Sequence, residues 1–375
     1  MGRLLLFDTI NTGHRLRYNQ SLIKGLLKQY EVLYVTKTCK ELERKLIDDQ
    51  IDYRFINTKF KYFLLHDLSL LLRAYSIAYT YHIKRLHILY LDSLLILLLL
   101  TFPIMCLLRL KISGTLHWYP SRSYKKTLLR ILIRFRVLDN IVVHGEYTKN
   151  KVIKLLDKRD SSRVISIVYP NLHEIHDTKI ESVQIKGLDE SKFKRPYFLL
   201  FGGLRYDKGI DILLEAMKLI KEKQFTVLIV GKEEYYTKEF IEHYIKQYKL
   251  VDKIYLNLEY VPEHEVPVYF NKADSVILPY RKIFSGQSGP LTEGVANSKF
   301  IIGPNRGELG YTIKHYNLGF TFESEDSNSL SEKMNDFIYS YDLGRINVSS
   351  ISQYKQEISV ETFAKKYQNF FLKEV

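Results

Sequence analysis

Apolar and polar residues alternate along the first half of the chain in short blocks that predict strands followed by helices. Apolar runs predict strands at residues 3–8, 31–36, 52–57, 86–91, 111–117 and 139–144. Helical spacing predicts helices at residues 18–29, 41–48, 59–84 (one long helix or two), 94–109, 124–134 and 148–156. Alternation of elements with these lengths is typical of parallel β-α-β units.

The same alternation restarts after a polar stretch at residues 172–195, which is the predicted linker. The chain is therefore predicted to form an N-terminal Rossmann-like domain at 1–171 and a second one at 196–355. The closing helix within 356–375 is expected to pack back on the first domain. Two doubly wound domains facing each other would hold a ligand in a central cleft, at the carboxyl ends of their strands.

The charge of the chain is unevenly distributed. The net charge is +14, and residues 1–190 contribute +13 of it, with 31 Lys and Arg against 18 Asp and Glu. A basic half favours an anionic partner, either nucleic acid or a membrane surface. Cys39 and Cys106 are too few for a disulfide framework and are expected to be reduced thiols. The chain starts with an apolar strand rather than a secretory signal, so a cytoplasmic location is expected.

The stretch FGGLRYDKGID at residues 201–211 runs from a predicted strand into an amphipathic helix. Glycines such as Gly202 and Gly203 let backbone N–H groups approach a ligand, and the start of a helix favours anions. Arg205 and Lys208 add two positive side chains to the same loop. The combination suits a diphosphate, although an ordinary turn with two solvated cations would have the same composition.

The stretch PYRKIFSGQSGPLTEG at residues 279–294 has the same strand-to-helix character. The start of its helix presents partial positive charge through consecutive residues. These residues are Ser288, Gly289, Pro290, Leu291 and Thr292. Glu293 follows in the first turn, either as an acceptor for ribose hydroxyls or as a solvated acid favoured by the helix dipole.

Residues 197–325 resemble the nucleotide-sugar-binding domain of family 4 glycosyltransferases, which have the GT-B fold of two Rossmann-like domains. The resemblance rests on the order and spacing of several blocks. These blocks are FGGLRYDKG (201–209), LIVG (228–231), YVPEHE (260–265), ADSVILPY (273–280), GPLTEGVA (289–296) and FIIG (300–303).

The resemblance implies roles at the donor site. Lys208 takes the position of the family lysine that contacts the donor diphosphate, and Glu293 that of the glutamate that binds the ribose. The family usually has an arginine where this chain has Gly203, so Arg205 is expected to replace it. A further family glutamate, which touches the transferred sugar, falls on Ser285.

The segment around residues 259–261 sits where the family cradles the nucleobase. The complete predicted donor site comprises residues from four loops. They are Gly202, Gly203, Arg205, Lys208, Tyr260, Val261, Ser285, Ser288, Gly289, Pro290, Leu291, Thr292 and Glu293.

The first domain matches the family more loosely. The loop NTGHRLRY at residues 11–18 lies where the family has its glycine-rich acceptor loop, and TLHWYP at 115–120 resembles the strand end with the active-site histidine. The residues expected to bind the acceptor are Gly13, His14, Arg17, Tyr18 and His117. His144 ends a later strand and receives no assigned role.

A sugar transferase must stabilise a departing nucleoside diphosphate, and cations with a helix N-terminus can do this without a metal. The chain contains no Asp-x-Asp motif, so no metal or other cofactor is expected. The resemblance implies retention of anomeric configuration, and front-side attack by the acceptor hydroxyl is expected. The predicted catalytic residues are His117, Arg205, Lys208 and Glu293.

Residues 122–136 (RSYKKTLLRILIRFR) interleave six cations with aliphatic and aromatic residues. A basic amphipathic helix of this type lies in a membrane interface, although a helix packed on the core has the same pattern. The positive charge of the first half favours an anionic membrane surface, and residues 59–73 extend the patch. Nucleic acid is disfavoured because no recognition motif appears. The apolar run at 93–108 is shorter than the roughly 20 residues of a membrane span.

These features favour a retaining, metal-independent glycosyltransferase at the inner face of the plasma membrane. It would move a sugar from a nucleoside-diphosphate-sugar to a glycan or lipid-linked acceptor, as in bacterial surface-polysaccharide assembly. Two alternatives stay open. One is a sugar-nucleotide hydrolase or epimerase of the same fold, and the other is a catalytically silent scaffold that binds a partner transferase.

Overall fold

The computed structural model of the chain describes residues 2–11, 14–172, 185–220, 224–284, 286–345, 349 and 351–373. The chain divides into two units, one of Met1–Leu172 with Ser359–Val375 and the other of His173–Ile358. Each unit is built on one all-parallel sheet. The prediction of two doubly wound parallel-sheet domains is confirmed.

The first unit contains a seven-stranded sheet with the order β3-β2-β1-β4-β5-β6-β7. Its strands are β1 (Gly2–Phe7), β2 (Tyr30–Lys37), β3 (Asp52–Ile56), β4 (Arg85–Ile88), β5 (Lys111–Leu116), β6 (Asn140–Val143) and β7 (Val164–Ser166). The α-helices that precede β7 in the chain are α1 (His14–Leu26), α2 (Lys40–Asp48), α3 (Phe63–Thr80), α4 (Leu95–Leu100), α5 (Phe102–Leu108), α6 (Ser123–Arg134) and α7 (Glu146–Ile153).

The second unit contains a six-stranded sheet with the order β10-β9-β8-β11-β12-β13. Its strands are β8 (Tyr197–Phe201), β9 (Thr226–Val230), β10 (Ile254–Asn257), β11 (Ser275–Ile277), β12 (Phe300–Pro304) and β13 (Gly319–Phe322). Its helices are α8 (Ile210–Leu219), α9 (Lys238–Gln247), α10 (Val266–Lys272), α11 (Gly289–Ala296), α12 (Gly307–His315), α13 (Ser327–Asp342) and α14 (Ile351–Glu357).

The last helix, α15 (Val360–Lys373), packs on α1 of the first unit. The Gln368 side chain donates to the carbonyl oxygen of Gly25 at 2.7 Å, and a Cβ on Gly25 would lie 2.4 Å from the Cβ of Ala364. The close approach of the two helices therefore requires glycine at this position.

Side chains of β1 alternate between two apolar cores, one on each face of the first sheet. Leu5 and Phe7 pack with residues of α3 to α6, whereas Leu4 and Leu6 pack with residues of α1 and α15. Burial on both faces explains why the strands of this sheet are continuous apolar runs rather than alternating ones.

The predicted linker divides between two parts of the structure. Residues 173–184 lie outside the described residues, whereas 185–195 belong to the second unit. Phe193 is buried there, and its carbonyl oxygen accepts a hydrogen bond from the Tyr197 hydroxyl at 3.0 Å.

The single helix predicted for residues 94–109 is wrong, because the structure contains α4 and α5 with a break at Thr101. Pro103 lies in the first turn of α5, where it is tolerated, but it lacks the N–H that a helix continuous with α4 would need at this position. In the described part of the chain, none of the helices has both the length and the apolar character that crossing a membrane requires.

The strand order of each sheet reverses at one point, between β1 and β4 in the first unit and between β8 and β11 in the second. Ligands of open α/β sheets bind at the carboxyl ends of the strands next to such a reversal. Ligand-binding residues are therefore expected in the loops after β8 and β11 and in those after β1, β4 and β5.

Candidate functional site

The loop after β8 holds a buried lysine at the carboxyl edge of the second sheet. Lys208 is 5% exposed, and its Nζ donates to the carbonyl oxygen of Phe201 at 2.7 Å. A Cβ on Gly202, whose φ is 97°, would lie 2.6 Å from that Nζ, so glycine leaves room for the ammonium. Burial lowers the pKa of Lys208 to about 8. The side chain is therefore still mainly cationic at pH 7.

Arg205 lies in the same loop and forms a bidentate ion pair with Asp207. Its Nε and Nη2 lie 2.9 and 2.8 Å from the two carboxylate oxygens, and the hydrogen bond to Asp207 raises the pKa of Arg205. The Arg205 side chain stays 46% exposed. At Gly203, where the family carries an arginine, an added Cβ would lie 2.0 Å from Oε1 of Glu234. A carboxylate therefore occupies the space next to the missing side chain.

The loop after β11 packs directly on this first loop. A Cβ on Gly209, whose φ is 63°, would lie 2.1 Å from the carbonyl oxygen of Pro279, so the two backbones are in contact. Arg281 holds them together, since its backbone N–H donates to the carbonyl of Asp207 at 2.9 Å and its Nε to that of Tyr206 at 3.0 Å. The two loops form one continuous surface.

Tyr280 connects Lys208 to the start of α11. The Tyr280 ring centroid lies 5.7 Å from Nζ of Lys208, and its hydroxyl lies 3.3 Å from Oγ of Ser288. Burial raises the pKa of Tyr280 to about 12, so its hydroxyl stays neutral. Ser288 caps α11, because its Oγ accepts a hydrogen bond from the N–H of Leu291.

The first turn of α11 carries the rest of the predicted helix-terminus residues. A Cβ on Gly289 would meet nothing within 4 Å, and Pro290 occupies the first turn. Thr292 and Glu293 are both buried, and the Thr292 hydroxyl donates to the carbonyl of Gly289 at 2.8 Å. A capped helix start with open space at its first residue favours an anionic ligand.

Three further donor predictions have different outcomes. Tyr260 and Val261 follow β10, which is separated from β8 only by β9 in the sheet. Tyr260 is exposed and Val261 is buried. Ser285 lies outside the described residues.

In the first unit, β5 ends at a stacked pair of rings. The imidazole of His117 lies parallel to the Tyr90 ring with centroids 3.7 Å apart, and the Arg15 guanidinium lies 4.0 Å from the same Tyr90 centroid. Nε2 of His117 lies 3.0 Å from the carbonyl oxygen of Leu89, which can only accept, so Nε2 carries the proton. Burial lowers the pKa of His117 well below its usual value. The ring is therefore neutral, and Nδ1 is its basic nitrogen.

Asp92 fixes the backbone on either side of this histidine. Its two carboxylate oxygens accept from the backbone N–H groups of His117 at 3.2 Å and Trp118 at 2.9 Å. The Lys125 side chain donates to the Asp92 carbonyl oxygen at 3.3 Å, which connects α6 to the same turn.

Tyr18 and His144 lie beneath the stacked rings. Tyr18 is fully buried, so the prediction that this side chain binds the acceptor directly does not fit its position. Its ring centroid lies 5.1 Å from that of His117 and 5.4 Å from that of His144. Nδ1 of His144 donates to the carbonyl of Ile167 at 2.8 Å, and burial lowers the pKa of His144 to about 4.

A chain of buried hydrogen bonds joins this group to α15. The Tyr367 hydroxyl lies 2.7 Å from the hydroxyls of both Tyr18 and Thr115, and Thr115 in turn lies 2.9 Å from Nε2 of His87. The other ring nitrogen of His87 lies 3.0 Å from the Ser113 hydroxyl. Burial lowers the pKa of His87 to about 3.

The predicted acceptor loop is only partly described. Gly13 and the side chain of His14 lie outside the described residues, and Arg17 is partly buried in α1. Nearby, the carboxylate of Asp8 accepts from Nδ2 of Asn19 at 2.9 Å, and burial raises the pKa of Asp8 to about 6.

Several residues at these two edges were missed by sequence reasoning. They are Tyr280 and Arg281 in the second unit, and Asp8, Arg15, Tyr90 and Asp92 in the first. Their positions in the sequence could have identified them, because each lies at or just after the end of a predicted strand or in the first turn of the next helix. The partners that give them a role come from other strands.

The helix predicted within residues 122–136 is α6, and one side of it packs on the core through Leu129, Leu132 and Ile133. Tyr124 and Phe135 at its two ends are exposed. α4 packs against both α6 and α5, and α5 packs against α3.

These neighbouring helices expose a set of large apolar side chains, here called the α3–α5 apolar surface. It comprises Phe63, Leu64, Leu65, Leu72, Ile96, Leu99, Leu100, Ile104 and Leu107. Leu107 is 82% exposed and Leu100 is 63% exposed. Grouped apolar exposure of this kind marks a site of interaction with a protein or a membrane.

Within the described ranges, no cluster of three or more His, Cys, Asp or Glu side chains is arranged to hold a metal ion.

Residues 185–346 match the family described as "Glycosyl transferases group 1". The matched range falls within the second unit and includes every predicted donor residue. The match covers less than half of the chain and falls in the part where the donor site was predicted.

Solved structures similar to the whole chain are glycosyltransferases and related enzymes. Anabaena Alr3699/HepE in complex with UDP gives a TM-score of 0.76 at 16% identity, with 100% of both chains covered. A glycosyltransferase from Rickettsia africae ESF-5 gives 0.73 at 18% identity, covering 99% of this chain and 97% of that one. These likenesses establish the GT-B fold that the sequence predicted.

A glycogen synthase from Thermodesulfovibrio yellowstonii is 23% identical over 198 residues, which are 52% of this chain and 39% of that protein. The chain thus matches about two fifths of the length of this curated relative.

Proposed function

We propose that the chain is a retaining, metal-independent glycosyltransferase. It moves a sugar from a nucleoside-diphosphate-sugar to a glycan or lipid-linked acceptor at the cytoplasmic face of the membrane. The observation that carries the proposal is the continuous surface of the loops after β8 and β11. It combines the buried cation of Lys208 with the capped start of α11, joined through Tyr280.

This surface suits the charge that develops when a nucleoside diphosphate leaves. An ammonium has three N–H donors, and Lys208 uses one of them on Phe201, so two can reach diphosphate oxygens. The N-terminus of α11 and the exposed guanidinium of Arg205 supply further positive charge. Glu293 is assigned to the ribose hydroxyls.

The reaction follows from these assignments. The acceptor hydroxyl attacks the anomeric carbon on the face that the diphosphate leaves, the bond from that carbon to the phosphate oxygen breaks, and the hydroxyl proton passes to the departing oxygen. His117 is neutral with its proton fixed on Nε2, so Nδ1 is available to accept a hydrogen bond from a substrate hydroxyl. We assign acceptor binding to the first unit on this basis.

The choice of donor is guided by a structural relative. Anabaena Alr3699/HepE has been solved with UDP-glucose. UDP-sugars are therefore the first donors to test, with GDP- and ADP-sugars alongside them.

Membrane contact is assigned to α6 and the α3–α5 apolar surface. Cations at the start of α6 flank exposed apolar side chains, a composition that suits anionic lipid at an interface. The enzyme would then bind the same membrane surface that carries a lipid-linked acceptor.

Turnover of UDP-, GDP- and ADP-sugars in detergent, with and without a lipid-linked acceptor, tests the function. The proposal expects transfer to the acceptor with retention of the anomeric configuration, read by NMR. Donor consumption without an acceptor product would favour a hydrolase or epimerase. No turnover together with no nucleotide binding would favour the silent scaffold.

Flotation with liposomes tests the membrane assignment. Leu100→Asp with Leu107→Asp should reduce binding to anionic liposomes by about 10-fold or more, because charges replace apolar residues at a lipid interface. Val251→Asp is the matched control, since Val251 is an exposed apolar residue of the second unit. Unchanged flotation of the double variant would remove this surface from the assignment.

A further inference from the structure

A second concave site lies in the first unit, at the opposite edge of the sheet from His117. A cavity of about 630 Å³ opens beside Lys111, the first residue of β5, and Asn140, the first residue of β6. The end of α6, residues 159–163 of the helical turn Lys158–Arg163 and the end of α15 complete its wall. Because His117 follows the carboxyl end of β5, this cavity is separate from the site described above.

The wall of the cavity is strongly basic. Two carboxylates, Asp139 and Asp160, face six cations. The cations are Lys111, Arg134, Arg136, Arg159, Arg163 and Lys373. The lining therefore carries four more positive than negative charges, and one of its cations, Arg134, is paired with Asp157 outside the lining.

Arg163 makes the cavity rigid rather than binding a ligand itself. Its guanidinium donates to the carbonyl oxygens of Ile133, Leu138 and Asp139, which closes the turn between α6 and β6. It also lies 3.6 Å from Asp160. The neighbouring Arg136 belongs to the same turn and has a backbone φ of 56°, in the left-handed region.

Apart from the Arg134–Asp157 pair at 3.2 Å, the remaining carboxylate contacts of these cations are long or shared. Asp160 lies 4.0 Å from both Arg134 and Arg159, while Lys111 and Arg136 act on Asp139 only as nearby charges. Lys373 adds a cation from the far end of the chain. Arginine and lysine side chains arranged this way bind phosphate oxygens through charge-assisted hydrogen bonds.

We propose that this basic cavity binds a ligand carrying two or more phosphate groups, distinct from the sugar donor. The described lining contains no aromatic side chain on which a nucleobase could stack, so the recognised part is the phosphate itself. The volume suits a small phosphorylated ligand. Such phosphates occur in soluble metabolites and in lipid headgroups.

Titration calorimetry with inorganic pyrophosphate tests the cavity in the full chain. A Lys208→Met background removes the donor lysine, so pyrophosphate binding there is not confused with the donor site. In that background, Lys111→Gln with Lys373→Gln should weaken pyrophosphate binding at least 10-fold. Both residues lie outside 122–136, which separates this effect from the membrane helix. Lys154→Gln with Lys158→Gln is the matched control, because these cations are exposed nearby but do not line the cavity.

Flotation with phosphatidylcholine vesicles, with and without phosphatidic acid, distinguishes the two sources. Weaker pyrophosphate binding with unchanged flotation assigns a soluble phosphate. Flotation that falls only on vesicles with phosphatidic acid, and only in the cavity variant, assigns a lipid headgroup. If the cavity variant matches the control in both measurements, with equal thermal unfolding midpoints, the proposal is wrong. Sugar transfer is measured separately, so a failure here leaves the proposed function in place.

Discussion

The carboxyl edges of the two sheets are built from opposite chemistry. The second sheet ends in charge, with Lys208 and the Arg205–Asp207 pair beside the start of α11. The first sheet ends mainly in neutral rings, with His117 stacked on Tyr90 above the buried His144 and His87. The charged groups at this edge are engaged with the protein, because Arg15 lies 3.9 Å from Asp8 and the Asp92 carboxylate accepts from backbone N–H groups. The same fold thus provides one edge suited to an anion and another suited to uncharged hydroxyl groups. On this difference rests the proposed division of labour, in which the second unit binds the donor and the first unit binds the acceptor.

The largest expected effect comes from removing the charge at the second edge. Lys208→Met should lower sugar-transfer turnover about 10²–10³-fold, because one donor to a developing oxyanion contributes about 3–4 kcal/mol. Steady-state kinetics with the best donor measures this loss. Lys218→Met is the matched control, since Lys218 is an exposed cation on the helix that follows. Equal turnover of both variants would contradict the assignment of the diphosphate.

The neutral histidines of the first edge predict a loss of stability in acid. The folded pKa values of His87 and His144 are about 3 and 4, below the unfolded value, so the unfolded state binds more protons below about pH 6.5. Three such histidines, counting His117, should cost roughly 4 kcal/mol between pH 7.5 and 5.5. Asp8 opposes this by about 1 kcal/mol, because its raised pKa makes the folded state take up a proton.

Urea unfolding at pH 7.5 and 5.5, followed by tryptophan fluorescence, measures this loss. Trp118 is the single tryptophan of the chain and lies in the first unit, so it reports on the relevant edge. His87→Gln should remove about a third of the pH dependence. Stability that is flat or rises on acidification would mean that these rings are not held neutral.

A smaller effect is expected for the ring at the first edge. His117→Asn should lower turnover about 10–10²-fold, because the lost hydrogen bond to a substrate hydroxyl costs about 1–3 kcal/mol. Nucleotide affinity should change less than 2-fold, since the donor is assigned to the other unit. Kinetics and titration calorimetry on the same variant separate the two. A parallel loss of nucleotide affinity would overturn the division of labour.

The smallest effect is expected at Arg205. Its exposed guanidinium is already paired with Asp207, so Arg205→Ala should weaken donor binding only about 2–5-fold, the size of an exposed, screened charge interaction. Asp207→Asn frees the guanidinium and should leave donor binding unchanged or strengthen it. A loss as large as that of Lys208→Met would show that Arg205 fully replaces the family arginine missing at Gly203.

The fold was predictable because strand and helix periods are local properties of the sequence. β7 was missed because its three residues are too few to show the alternation of apolar and polar positions that identifies a strand. α12 was missed because Gly307 and Gly310 interrupt the helical spacing of its apolar residues. The break between α4 and α5 was signalled by Pro103, yet the apolar run on both sides concealed it.

Residues of the candidate site were predictable only where a single strand-to-helix segment contains the whole motif, as with Lys208 and Ser288. Arg281 also donates to the carboxylate of Asp211, 70 residues away, and Tyr18 is hydrogen-bonded to Tyr367 across 349 residues. The sequence pattern around either residue of such a pair does not predict the contact, because the tertiary fold brings the two residues together. The burial of Tyr18 is likewise a property of α15, which returns to the first unit from the end of the chain.

The central claim is that the second edge binds a nucleoside diphosphate through Lys208. Thermal unfolding of the full chain with UDP, GDP and ADP, for wild type and Lys208→Met, tests it most directly, because a ligand that binds only the folded state raises the unfolding midpoint. The account predicts that at least one diphosphate raises the midpoint of the wild type and that the shift disappears in Lys208→Met. Absence of any shift, or a shift of equal size in the variant, would contradict it.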